Sequence, residues 1–173
     1  MLRRIAITGP ESTGKTQLAK DLALHFKTNW VPEFSREYLE GLEEKYTLED
    51  IISIAKGQLV REEEIARKTS SLLFCDTDLT VTKIWSQYVF DTCPDWIEEQ
   101  FLQHRYDLYL LCYPDIEWKT DPLRENPVDR LSLFERYKEE LEKSGFNYEI
   151  VKGRGDARLK NAINFVKHLN DDW

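Results

Sequence analysis

The sequence predicts an α/β protein built on a mostly parallel, five-stranded sheet with helices on both faces, a three-layer sandwich. Three observations carry that expectation. The runs Ile5-Ala6-Ile7-Thr8, Leu72-Leu73-Phe74-Cys75 and Leu108-Tyr109-Leu110-Leu111-Cys112 are apolar throughout, without the alternation of a half-exposed strand, which is how strands covered on two faces read. Between the runs, apolar residues recur at three- and four-residue spacing, the mark of amphipathic helices. Finally, Gly9-Pro10-Glu11-Ser12-Thr13-Gly14-Lys15-Thr16 fits G-x-x-x-x-G-K-[ST], the phosphate-cradling P-loop, between the first strand and the first helix.

The elements follow in order. Strand one covers 3–8, and helix one covers 15–27, with Leu18, Leu22 and Phe26 on one stripe and Ala19 and Ala23 beside them. Trp30-Val31 is a short second strand, followed by a helix near 35–43. Thr47 and Asp50 form a capping box ahead of Leu48, Ile51, Ile52, Ala55 and Leu59, so a helix runs from there toward Lys68. Leu72 to Cys75 is a strand closed by Asp76; a helix follows to Phe90 and another starts after Pro94. After the strand 108–112, Pro114, Pro122 and Pro127 break the chain, and 114–130 is expected to be a lid. A charged helix fills about 129–143 and Gly145 ends it. Phe146 to Val151 make the last strand, and Leu159, Ala162, Ile163 and Val166 the last helix.

A chain of 173 residues is expected to form one domain, 1–173. Its formal net charge of −8 argues against a nucleic-acid partner, which needs a basic face. No apolar run approaches the length of a membrane span, and the N-terminus shows no signal-peptide pattern. Cys75, Cys93 and Cys112 are widely spaced without a C-x-x-C pair and read as reduced thiols of a cytoplasmic protein. His25, His104 and His168 lie near helix ends, where surface or capping roles are the default.

In a parallel α/β sheet, ligands bind at the carboxyl ends of the strands. In the P-loop, the glycines let backbone N–H groups turn inward on an anion, Lys15 places a charge on the β- and γ-phosphates, and the Thr16 hydroxyl can hold Mg²⁺. Gly9, Glu11, Ser12, Thr13, Gly14, Lys15, Thr16 and Gln17 are the expected ATP contacts. After strand two, Glu33 is either a base for a substrate hydroxyl or a helix cap, and Arg36 either holds an anion or pairs with an acid; Tyr38 follows as a substrate candidate. Asp76 ends its strand as a Walker-B acid does and is favoured for Mg²⁺ over an N-cap role; Asp78 is assigned to capping or substrate contact. Trp85 and Tyr88 either wall a pocket or belong to the core. In the lid, Lys119, Arg124 and Arg130 are candidates for the transferring phosphoryl group. Arg154, within Lys152-Gly153-Arg154-Gly155, either stacks on the base of ATP or sits in a plain turn.

The segments GPESTGKT, VPEFSREYL, CDTDLTVTKIWSQY and YDLYLLCYPDIEWKTDPLREN, with Arg130 beyond, resemble in order the ribosylnicotinamide kinase domain of NadR-type NAD-biosynthesis proteins. The resemblance implies a P-loop kinase fold that moves the γ-phosphoryl of ATP to the 5′-hydroxyl of nicotinamide riboside, giving nicotinamide mononucleotide. It implies ATP on Gly14, Lys15 and Thr16, Mg²⁺ near Thr16 and Asp76, and a lid bearing Arg124 and Arg130. The Pro32-Glu33 pair is also similar to the base-bearing element of deoxynucleoside kinases, with Asp76 the rival for that role. The bifunctional family members carry an adenylyltransferase domain ahead of the kinase, and some a DNA-binding domain. This chain begins at the P-loop strand, so adenylyl transfer and repressor activity are not expected of it. Two other classes fit the same residues: a kinase for another nucleoside or small metabolite, and a non-enzymatic module that signals by ATP occupancy.

Overall fold

The computed structural model describes residues 2–171. Its five strands are β1 (Arg3–Thr8), β2 (Asn29–Val31), β3 (Leu72–Asp76), β4 (Leu108–Cys112) and β5 (Tyr148–Val151). They form one parallel sheet in the order β2-β3-β1-β4-β5. The helices are α1 (Lys15–Phe26), α2 (Phe34–Glu40), α3 (Leu48–Ala66), α4 (Leu79–Phe90), α5 (Asp95–Gln103), α6 (Arg130–Lys143) and α7 (Gly155–Asp171). The expected sandwich is present.

Strand side chains alternate between two apolar layers. Ile5, Ile7, Phe74, Leu108 and Leu110 point to one face, where α1 contributes Leu18 and Leu22 and α7 contributes Ala162 and Val166. Ala6, Leu73, Cys75, Tyr109 and Leu111 point to the other, against Ile51 of α3, Ile84 of α4, Ile97 of α5 and Phe134 of α6. Both faces are dry, which is why the strands read as unbroken apolar runs. Helix α1 leaves β1 toward one face, whereas α4 leaves the adjacent β3 toward the other. A crevice therefore opens at the carboxyl ends of β1 and β3.

Local signals set the boundaries. Lys27, at φ +52°, ends α1 and its N–H returns to Leu24. The capping box of α3 is complete: Thr47 N–H donates to Asp50 Oδ2 at 2.7 Å, and Asp50 N–H to Thr47 Oγ1 at 3.4 Å. Helix α2 stops at Glu40 rather than near residue 43, because Gly41 closes it and the following loop carries Tyr46 back onto Trp85. Strand β5 begins at Tyr148, since the Phe146 ring packs into the core against Tyr109 instead. Cys75 and Cys112 are buried free thiols. His104 departs from a surface role: its Nε2 lies 2.8 Å from the fully buried Glu62 carboxylate, which also bonds Arg4 and the Tyr106 hydroxyl. Burial alone would raise the Glu62 carboxyl, but the His104 hydrogen bond and the charges of His104 and Arg4 hold it below the usual range. No helix among the described residues is long and apolar enough to cross a membrane.

Candidate active site

Residues 9–14 turn around a hollow between β1 and α1. Gly9 sits at φ +128°, and a Cβ there would stand 2.9 Å from the Cys112 carbonyl oxygen, so the loop's approach to β4 requires glycine. Lys15 Nζ donates to the carbonyls of Gly9 at 2.9 Å and Pro10 at 2.8 Å, which holds the ammonium across the loop. The loop opens into a cavity of about 580 Å³.

This cavity gathers most of the sequence-predicted site. Gly9, Glu11, Ser12, Thr13, Gly14, Lys15, Thr16 and Gln17 of the phosphate loop line it together with Glu33, Arg36, Trp85, Tyr88, Lys119 and Arg124. Its cations are Lys15, Arg36, Lys45, Lys119 and Arg124, and its anions Glu11, Glu33, Glu44 and Glu125. The lining is thus nearly balanced in a chain of net charge −8, which relieves the long-range repulsion of a triphosphate.

Asp76 is fully buried at the end of β3, and neither of its carboxylate oxygens has a hydrogen-bond partner among the described residues. Burial first, and then the charge of Glu33, push its carboxyl up to about 6, against the opposing pull of the Thr16 hydroxyl and Lys15. A buried carboxylate with only the neighbouring Thr16 hydroxyl and the Lys15 charge to favour its ionised form is suited to a cation. Among the described residues no group of three or more His, Cys, Asp or Glu side chains converges. Mg²⁺ needs only one or two protein ligands, and Asp76 and Thr16 are the residues that could hold it.

Glu33 occupies the N-cap position of α2 but makes no side-chain cap. Its Oε1 accepts from the Ser35 hydroxyl at 2.6 Å, and the residue lines the cavity. Asp78 does cap: its Oδ2 accepts from Thr80 N–H at 3.0 Å and from the Thr80 hydroxyl. Its other oxygen has no partner among the described residues. Burial raises the Asp78 carboxyl, and the residue borders a small cavity beside Glu33 and Trp85. Tyr88 donates to Asp129 at 2.6 Å, and Trp85 Nε1 to the Tyr46 hydroxyl at 3.0 Å.

Five predicted residues do not line the P-loop cavity: the buried Asp76 and Asp78, and Tyr38, Arg154 and Arg130. Tyr38 donates to Asp50 at 2.8 Å, because its place on α2 turns it to α3. Arg154 donates through Nε to the Asp115 carbonyl at 3.0 Å. Arg130 donates to the carbonyls of Ser12 at 3.1 Å and Ile116 at 3.0 Å, fastening the lid's two ends to the P-loop. Arg36 pairs with Asp121 of the lid at 2.9 Å.

Other residues of the site carried no signal in the sequence. Arg158 is buried; it binds Asp115 at 2.9 Å and donates to the Thr13 carbonyl at 2.7 Å, tying the β5–α7 turn to the P-loop. Tyr46 donates to Glu125 at 2.7 Å and stacks edge-on against Trp85. Gln58 accepts from Phe34 N–H at 2.8 Å and so fixes the start of α2 beside Glu33. A lone Arg, Tyr or Gln has no spacing signature, so none of these could be found before the elements were assembled.

The AAA domain family model matches residues 4–158. The chain is 27% identical over 175 residues to the trifunctional NAD biosynthesis/regulator protein NadR of Salmonella typhimurium, covering 97% of this chain and 43% of that protein. It therefore spans less than half the length of this curated relative. Among solved structures, NadR protein in complex with NR aligns over 96% of this chain and 50% of its own, at a TM-score of 0.82 and 22% identity. Deoxyadenosine kinase from M. mycoides aligns over 95% and 99%, at 0.63 and 13%. At these identities the structures establish a shared fold.

Proposed function

Because this chain belongs to the AAA domain family, we propose that it is an ATP-dependent phosphotransferase acting on a nucleoside 5′-hydroxyl, with nicotinamide riboside the favoured acceptor and nicotinamide mononucleotide the product. The observation that carries this reading is the meeting of the P-loop, Glu33 and an aromatic wall in one lidded cavity, with the buried Asp76 carboxyl close enough to feel Glu33, Thr16 and Lys15 of its lining. A nucleotide-binding module without chemistry has no use for an acceptor pocket beside the phosphate loop.

In this reading the P-loop amides and Lys15 hold the triphosphate with its terminal group toward Glu33. Glu33 takes the proton of the acceptor hydroxyl, the hydroxyl oxygen bonds to the γ-phosphorus, and the bond to the β-bridging oxygen breaks, releasing ADP. Arg124 of the lid stabilises the equatorial oxygens, while Arg130 holds the lid ends to the P-loop. Thr16 and Asp76 are the residues that would hold Mg²⁺, which would supply positive charge to the phosphates. Trp85, Tyr46 and Tyr88, with Glu125 hydrogen-bonded to Tyr46, offer aromatic faces and a carboxylate to a cationic pyridinium ring. The NadR relative, a NAD biosynthesis protein, and the NR bound in a fold neighbour support that choice of acceptor and a role in cytoplasmic NAD biosynthesis.

The test is ADP release with MgATP and a nucleoside panel, with product identified by mass. The expected result is stimulation by nicotinamide riboside well above adenosine, cytidine and thymidine, and a product heavier by one phosphoryl group. Equal indifference to every nucleoside would overturn the reading, whereas a preference for a neutral nucleoside would move the protein to a different acceptor.

A further inference from the structure

Glu11 lies inside the P-loop and lines the cavity, yet its carboxylate is engaged by the lid. Its Oε2 accepts the backbone N–H groups of Glu125 and Asn126, both at 3.1 Å, and the Asn126 side-chain amide at 3.4 Å. Ser12, the next residue, behaves alike. It holds φ +54°, rare for a residue other than glycine, and its hydroxyl accepts from Lys119 N–H at 2.9 Å. The Ser12 carbonyl takes Arg130 at 3.1 Å. Two consecutive P-loop residues thus bind the start, the apex and the end of the lid, across more than a hundred residues of sequence.

We propose that Glu11 is a positioning residue: it latches the lid to the phosphate loop and so sets Arg124 over the cavity before nucleotide arrives. The inference rests on the kinase reading above but extends it to how the lid is placed. The argument is one of connectivity. Two successive amides pointing at one carboxylate oxygen fix the backbone just after Arg124, and a charged acceptor makes such bonds stronger than a neutral one would. The Arg124 guanidinium meanwhile donates to the Lys119 carbonyl at 2.6 Å, so it is held within the lid. The same lid stretch reaches the aromatic wall, since the Glu125 carboxylate accepts from Tyr46. The phosphate loop, Arg124 and the aromatic wall are then one connected unit, joined through the Glu11 carboxylate.

Backbone amide exchange of nucleotide-free protein, followed by mass spectrometry, reads the latch directly. Glu11→Ala is expected to speed exchange of peptides over 123–127 at least tenfold and leave β1, β3 and β4 unchanged. Glu11→Gln, which keeps an acceptor oxygen, is expected to stay within threefold of the parent. In turnover, Glu11→Ala should lower kcat at least tenfold with the KM for MgATP within threefold, and Glu11→Gln should restore most of it. Unchanged lid exchange in Glu11→Ala, equal damage from Glu11→Gln, or a KM for MgATP rising in step with the fall in kcat would each overturn the proposal. The exchange measurement needs no acceptor, so it decides the latch even if no nucleoside in the panel is phosphorylated.

Discussion

The Arg36 guanidinium donates to the Asp121 carboxylate at 2.9 Å, joining α2 to the lid. Pairing with an acid is one of the two sequence readings of Arg36, and the residue also lines the cavity. The Asp121 carboxyl is held below its ordinary value by the Leu123 N–H and by Arg36. An exposed pair of this kind contributes little to stability, so its consequence lies in lid placement. Arg36→Ala should leave the melting temperature within about 2 °C and raise the acceptor KM several-fold. Steady-state kinetics at low and high salt check this; identical KM values for parent and variant would separate the pair from lid placement.

Asp76 sets activity against stability. Its folded carboxyl, at about 6, lies above the ordinary value of 3.8. A group with a raised folded pKa favours the fold fully below its unfolded pKa, and that contribution is lost as pH rises through the folded value. The ligand-free protein should therefore lose roughly 3 kcal/mol from this group between pH 4 and pH 7. Asp76→Asn should raise the melting temperature of nucleotide-free protein at pH 7.5, show no gain at pH 4, and lose Mg²⁺-dependent turnover. Thermal melts across that pH range suffice, and a variant less stable than the parent at pH 7.5 would contradict the account.

For Lys15, the two carbonyl acceptors at 2.8 and 2.9 Å are both loop groups and no packed apolar surface depends on them. Lys15→Ala should lower kcat by on the order of 100-fold or more with native circular dichroism. Wild-type turnover would remove the ammonium from the chemistry.

Glu33→Gln should lower kcat by on the order of 100-fold, the scale of general-base assistance, with the KM for ATP nearly unchanged. The Ser35 hydroxyl can still donate to the amide oxygen, so local structure is kept. Full activity in Glu33→Gln beside an inactive Asp76→Asn would hand the base role to Asp76.

Gly57 offers a probe remote from the chemistry. A Cβ there would meet the Phe34 ring at 2.2 Å, and Phe34 follows Glu33 in the chain. The ring is also covered by Arg61, at 4.7 Å from its centroid, which limits its escape. Alanine in a helix interior ordinarily gains about 1 kcal/mol over glycine. Gly57→Ala is nonetheless expected to lower the melting temperature and to cut kcat about tenfold by displacing Glu33. A stabilised, fully active variant would show that Phe34 moves freely.

The sheet, the helices and the phosphate loop were legible in the chain because each rests on local physics. Unbroken apolar strands require cover on both faces, the Thr47–Asp50 box starts α3 within four residues, and Gly9 and Gly14 permit a loop conformation that side chains resist. The sequence by itself also marked Lys15, Glu33, Asp76 and Arg124 by their places after strands. What it did not determine is where long polar side chains point. Glu11 reads as a phosphate-loop residue and bonds the lid, Arg154 reads as a base contact or a plain turn and bonds Asp115, and the unmarked Arg158 and Tyr46 brace the loop and the aromatic wall. Those choices depend on donors and acceptors up to 145 residues apart in the chain. Only assembly of the sheet brings such groups within hydrogen-bond reach, so no periodicity or spacing encodes them.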